Sequence, residues 1–188
     1  MIGVLVSGEG TNLQALLDAG LPVVAVASNN TKAKGLDRAA RAGIEAGAFP
    51  TIEFDSRERR DDEIADWLAE RGAELVVLAG YMQLLTAPFL GRFPGRILNV
   101  HPSLLPAFPG AHAVEEALAH GVKITGATVH FVDEGIDTGP IVLQEAVEIR
   151  EGDTAETLHA RIQQVEHRLL PEAVRLFVDG KLRPAVSA

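Results

Sequence analysis

The sequence predicts an α/β protein built on one open, mainly parallel, twisted sheet with helices on both faces. Two observations carry that expectation. Short apolar runs rich in Val, Ile, Leu and Ala alternate with segments of helical period, which is the rhythm of βαβ units. The 188 residues, 47% hydrophobic and 23% charged, have the size and composition of one globular domain, expected to span 1–188. A chain of this length buries a full core without staples.

The elements follow in order. Ile2–Ser7 is a short apolar run with no basic flank, so it reads as a first strand and not as a secretory signal. A turn containing Gly8 and Gly10 leads into a helix over Thr11–Asp18. Pro22–Ser28 is the next strand and Lys32–Ala42 the next helix; Arg57–Arg71 is helical and Glu74–Ala79 is again a strand. Lys123–Val132 and Pro140–Ile149 alternate more openly, as paired strands do, and flank the acidic segment Asp133–Thr138. The final helix spans Thr154–Asp179, capped by Asp153 or Thr154, with Leu158, Ile162, Val165, Leu169 and Leu170 along one apolar face.

Charge is unevenly spread. From Leu75 to Val114 only Arg92 and Arg96 are charged, where average composition would place about nine such residues. This tract is expected to be largely buried. Gly80, Thr86, Pro88, Pro94 and Pro102 break it, well short of the ~20 apolar residues of a membrane helix. It reads as a central strand, an apolar cleft wall and a Pro-rich loop. Over the whole chain, 17 Lys and Arg against 26 Asp and Glu give a net charge of −9, which repels a phosphate backbone. Without Cys, neither a disulfide framework nor a thiolate metal site can form. A cytoplasmic protein with small-molecule partners, no nucleic acid and no membrane is the expectation.

Three segments carry candidate chemistry. Gly8 and Gly10 begin a dinucleotide-like pattern, but Leu13 replaces its third glycine and Ser28-Asn29-Asn30 stands where a ribose-binding acid is needed. No G-K-S/T phosphate loop exists either. Gly10, Thr11 and Asn12 at a helix start suit one phosphate monoester, or else form a tight turn with an N-cap. Asn99 and His101, two apart in a strand, share one side; an amide and an imidazole there serve catalysis, or cap the strand as core residues. Asp133, Glu134 and Asp137 match no calcium loop and are either solvated or supply a carboxylate to orient His101. No histidine pair has zinc-site spacing, so no metal is expected.

Four strings in order carry a resemblance across nearly the whole chain: Ser7–Leu16 (SGEGTNLQAL), Ala79–Met82 (AGYM), Ile97–Gly110 (ILNVHPSLLPAFPG) and Gly126–Pro140 (GATVHFVDEGIDTGP). With Glu166-His167 in the last helix, they resemble the phosphoribosylglycinamide formyltransferase family. The middle two are shared with other 10-formyltetrahydrofolate enzymes. The resemblance implies a Rossmann-like formyltransferase fold and transfer of a formyl group from 10-formyltetrahydrofolate, as cosubstrate, to the amine of glycinamide ribonucleotide in purine biosynthesis. It implies that Asn99, His101 and Asp137 are catalytic, that Gly10, Thr11 and Asn12 hold the substrate phosphate, and that Glu166 meets the amine. Met82, Gln83, Leu84, Leu85, Leu90, Val132, Ile136 and Asp137 are then the folate-binding residues, in a monomer or homodimer. Gln83 departs from the pattern, since many members have Arg there. A methionyl-tRNA formyltransferase would need an RNA-binding domain and basic surface, a formyltetrahydrofolate hydrolase a regulatory domain, and a phosphometabolite-binding module would leave Asn99, His101 and Asp137 unexplained.

Overall fold

A computed structural model describes residues 1–182. In chain order the elements are β1 (Ile2–Val6), α1 (Thr11–Asp18), β2 (Val23–Ser28), α2 (Lys34–Arg41), β3 (Glu45–Ala48), a 3₁₀ turn (Thr51–Glu53), α3 (Arg57–Glu70), β4 (Leu75–Leu78), α4 (Ala87–Arg92), β5 (Ile97–His101), α5 (Ala113–His120), β6 (Ile124–Phe131), β7 (Ile141–Glu148) and α6 (Ala155–Val178). The strands form one sheet in the order β3-β2-β1-β4-β5-β6-β7. Pairings from β3 through β5 are parallel, and β6 and β7 join antiparallel. The expected mainly parallel α/β sheet is therefore the observed one.

Both faces are covered, which is why the central strands are continuous apolar runs. Ile2, Val4 and Val6 of β1 point into a core closed by α1, α5 and α6, while Leu5 points into a second core with Ile64 and Leu68 of α3 and Phe89 of α4. In α6, Leu158, Ile162, Val165, Leu169 and Leu170 are all buried as the helical period requires. Thr154 is its N-cap, accepting from Thr157 N–H in a reciprocal capping box. Asp153 binds Arg161 and Arg150 N–H instead.

Strand order reverses between β1 and β4, so the chain leaves the carboxyl ends of these neighbours in opposite directions and opens a crevice there. Ser7 N–H donates to the Gly80 carbonyl across that gap. Gly10, at φ +70°, supplies the left-handed turn into α1. A Cβ on Gly10 would lie 2.6 Å from the Gly35 backbone, so only glycine lets the start of α2 pack this closely on the turn.

Three differences from the sequence expectation have physical causes. β3 (EAGA) is an edge strand, mostly exposed and without an apolar run. α4 lies inside the low-charge tract and α5 starts at its very end; α4 is only six residues with Pro88 in its first turn. That tract is not largely buried: Met82 is 65% and Leu84 55% exposed, while Leu75–Ala79 and Ile97–Leu98 are core. Low charge here marks a cleft wall as well as an interior.

A fully buried ion pair braces the loop between β4 and α4. Arg60 Nε and Nη2 donate to Asp61 Oδ1 at 3.1 and 2.9 Å, and Arg60 Nη1 donates to Thr51 Oγ1 at 2.8 Å. Asp61 Oδ2 accepts Thr86 N–H at 2.9 Å. Burial pushes the neighbouring Tyr81 phenol up to about 12. Arg60→Met removes one member and leaves a buried carboxylate, so it should cost about 3–5 kcal/mol in urea unfolding, whereas Arg60→Met/Asp61→Leu should cost less than Arg60→Met alone.

Candidate active site

Asn99 and His101 lie on β5 with Val100 between them, on the sheet face that carries Ile97 and the second core. Both reach Asp137. Asn99 Nδ2 is 3.4 Å from Asp137 Oδ1, and His101 Nδ1 is 3.3 Å from Asp137 Oδ2. His101 is buried, at 4% exposure, and its Nε2 donates to the Phe108 carbonyl at 2.8 Å. With Nε2 so committed, Nδ1 makes an ion pair with Asp137 only when the ring is doubly protonated.

The loop that carries Asp137 leaves the sheet far from His101, because Val132 N–H donates to Ile97 O at the start of β5. It must fold back along the strand. Asp133 Oδ1 makes that fold by accepting from Gly135 N–H at 3.0 Å and Thr138 Oγ1 at 2.6 Å. Gly139 is required too, since a Cβ there would meet the Phe131 carbonyl at 1.8 Å. Asp137 itself sits at φ +55°, a strained conformation for a non-glycine residue. Of the three acids, Asp133 folds the loop, Glu134 is exposed, and Asp137 turns inward.

Burial alone would raise the Asp137 carboxyl. Hydrogen bonding from His130 and from Gly110 N–H (2.8 Å), with the charges of His101 and His130, outweighs burial and holds it at about 2. His130 is the residue that sequence reasoning missed. It sits directly opposite Asn99 in the β5–β6 register, with Nε2 3.2 Å from Asn99 Nδ2 and 3.5 Å from Asp137 Oδ1. His130 Nδ1 donates to Phe131 O, so neutral His130 accepts from Asn99 and protonated His130 pairs with Asp137. Its signal was its place in the Gly126–Pro140 string; only strand register shows what it faces.

The glycine turn and the last helix meet on the other side of the crevice. No side chain caps the amino end of α1 behind Gly10, leaving its first amides outside any side-chain cap. The Asn12 amide points inward, donating to Glu166 Oε2 at 2.9 Å. Glu166 is 4% exposed, and burial pushes its carboxyl up against the opposing pull of Asn12 and His159.

The expected folate residues divide. Leu85, Leu90 and Val132 pack together on the second core, while Met82, Leu84 and Ile136 are exposed and Gln83 is half-buried. An open cleft of about 470 Å³ is lined by Leu105, Pro109, Ile136, Asp137, Gly139 and Ile141 among others. It brings Ile136 and Asp137 together, without Met82 or Leu84.

Fold and site together define an α/β protein with an imidazole, an amide and a carboxylate gathered beside a sheet crevice. The chain belongs to the formyl transferase family, whose description matches residues 1–174. It is 42% identical over 188 residues to phosphoribosylglycinamide formyltransferase of Escherichia coli (strain K12), covering 97% of this chain and 89% of that one. A crystal structure of glycinamide ribonucleotide transformylase 1 from Symbiobacterium toebii superposes with a TM-score of 0.95 at 53% identity, covering 97% of this chain and 89% of that one. The chain also matches the trifunctional purine biosynthetic protein adenosine-3 of Drosophila pseudoobscura pseudoobscura at 46% identity, over 97% of its own length but 14% of that protein's.

The depressed Asp137 carboxyl predicts a pH dependence. Its folded value of about 2 lies below the ordinary 3.8, so the ionised group stabilises the fold fully above about pH 4, and this is lost as pH falls toward 2. Urea unfolding of the wild type and Asp137→Asn should therefore show a stability gap that narrows as pH falls from about 4 toward 2. A gap that persists unchanged to pH 2.5 would refute the assignment.

Proposed function

We propose that this chain transfers the formyl group of 10-formyltetrahydrofolate to the primary amine of glycinamide ribonucleotide, giving formylglycinamide ribonucleotide and tetrahydrofolate in purine biosynthesis. The observation that carries the reading is the Asp137 carboxylate in contact with both Asn99 and His101 beside the crevice. Family membership and the named relatives support the same activity.

The chemistry is acyl transfer. The neutral amine attacks the formyl carbon, the carbonyl π pair moves onto oxygen, and a tetrahedral oxyanion forms. Asn99 turns one Nδ2–H to that charge in place of its contact with Asp137 or His130. Protonated His101, whose two N–H groups bond Phe108 O and Asp137, stabilises it through its positive charge. Asp137 keeps His101 paired and relays the proton lost by the attacking nitrogen to N10 of the folate, directly or through water, as the C–N10 bond breaks. Gly10, Thr11 and Asn12 present the helix amino end to the phosphate, and Glu166, held by Asn12, receives the amine. Met82, Gln83, Leu84, Leu85, Leu90, Val132 and Ile136 form the folate wall. The formyl donor is a cosubstrate and is released as tetrahydrofolate. No helix of the described residues is long and apolar enough to cross a membrane; we place the protein in the cytoplasm, as a monomer or homodimer.

The defining assay combines 10-formyl-5,8-dideazafolate with glycinamide ribonucleotide and an amine-free control, and product must require both. Asn99→Ala should lower kcat by roughly 10²–10³ with little change in either KM, because an oxyanion donor acts mainly in the transition state. His101→Ala should cost at least as much, and the double variant less than the product of the two. Variants that lose melting temperature but keep activity per folded molecule would make the pair structural.

Gln83 offers a separate test on the donor side. Gln83→Arg adds a planar cation where many family members carry one, and should tighten folate binding while leaving the ribonucleotide KM unchanged. Titration calorimetry that shows no gain would mean that a neighbouring group, such as Arg57 beside Leu84 O, already fills that role.

A further inference from the structure

Ser7 opens the glycine turn, yet its hydroxyl bonds to Asn29 and to Met82 N–H and to none of Gly10, Thr11 and Asn12. Its N–H donates to Gly80 O at 3.1 Å and its carbonyl accepts from Asn30 Nδ2 at 3.1 Å. Its hydroxyl donates to Asn29 Oδ1 at 2.6 Å and accepts Met82 N–H at 2.9 Å. One short residue thus ties together the carboxyl ends of β1, β2 and β4. The task demands a group that donates and accepts at once within one Cβ of the backbone, which a serine hydroxyl does and an alanine cannot.

The segment that receives this bond has little else to hold it. Met82 and Leu84 are mostly exposed, so apolar burial fixes only part of the Met82–Thr86 loop. Its backbone is suspended on three side chains from other elements: Ser7 at Met82 N–H, Arg57 at Leu84 O (2.7 Å) and Asp61 at Thr86 N–H (2.9 Å). Arg57 and Asp61 lie on α3 and hold the far half of the loop. Ser7 alone among the three belongs to the turn that serves the other substrate.

We propose that Ser7 is a positioning residue for the formyl donor: its hydroxyl fixes the entry of the Met82–Thr86 loop and so sets the folate wall, although it lies in the glycine turn assigned to the acceptor phosphate. The inference rests on the reading of that loop as folate-binding. It makes the turn after β1 a two-sided element, with backbone amides turned to the ribonucleotide and one hydroxyl turned to the donor. A motif-based reading of the turn predicts the opposite kinetic signature, because it would place any defect at Ser7 on the ribonucleotide.

The test is steady-state kinetics of Ser7→Ala and Ser7→Thr with both substrates varied, alongside melting temperatures. Ser7→Ala should raise KM for 10-formyl-5,8-dideazafolate about three- to tenfold, the effect of one lost hydrogen bond, and leave the ribonucleotide KM unchanged. Ser7→Thr keeps the hydroxyl and should restore most of the donor KM. Titration calorimetry with the dideazafolate alone should show the same weakening without turnover. A rise confined to the ribonucleotide KM, or an equal rise in both, overturns the proposal. So does a lowered melting temperature with both KM values intact, which would make Ser7 structural only. A wild-type protein inactive in the two-substrate assay would instead sink the proposed function, and the calorimetric comparison would still decide the claim about Ser7: equal donor affinity in wild type and Ser7→Ala refutes it.

Discussion

A carboxylate taken out of water has to be met by donors, and most of the site's geometry follows from how Asp137 is met. Gly110 N–H comes from the Pro-rich loop after β5, His101 and Asn99 from β5 itself, and His130 from β6. These four donors tie down three segments of the chain. Bringing Asp137 to them requires the β6–β7 loop to run back along β5, which at about 3.3 Å per residue is a return of several strand positions from the level of Ile97. Asp133 and Gly139 make that return possible, and the positive φ of Asp137 is the strain it leaves.

The same requirement recurs at the other buried charges. Glu166 in α6 is held by Asn12 in α1, residues 154 apart in the chain, so the helix that closes the first core also aligns the turn after β1. Arg60 and Asp61 sit under the loop after β4, and the carboxylate spends its second oxygen on Thr86 N–H. An ion pair such as Arg60–Asp61 adds little net stability over apolar residues, and Asn12–Glu166 is a single hydrogen bond to a carboxyl that burial pushes up. Their value lies in direction: each is aimed at a loop bordering the crevice.

Much of the fold was legible because its strongest signals are local. Ile2–Ser7, Thr11–Asp18 and Thr154–Asp179 agree with β1, α1 and α6 to within a residue or two, since burial on both faces or one apolar stripe writes a clear period. β3 is exposed at the sheet edge and needs no apolar run, so it left no trace. α4 has Pro88 in its first turn and holds Gly91, both poor helix signals when read singly. Arg60 and Asp61 lie in the run RERRDDE, where nothing local distinguishes a fully buried pair from solvated neighbours.

Asn99, His101 and Asp137 were legible as side chains of the right chemistry in ordered strings, and two of them as same-face neighbours. Their meeting was not, because it depends on β5–β6 register and on a loop return that no spacing rule encodes. His130 makes the point most sharply. Nothing about a histidine in the run TVHF separates a core residue from a site residue until Asn99 is found opposite it. The low-charge tract misled for a related reason: a cleft wall and a core are built from the same apolar residues, and only packing tells Leu85, which lies against the second core, from Leu84, which faces outward. Sequence therefore reports which chemistry a site can do more readily than which neighbours let it happen, and in this protein those neighbours are contributed mainly by backbone groups and strand pairing.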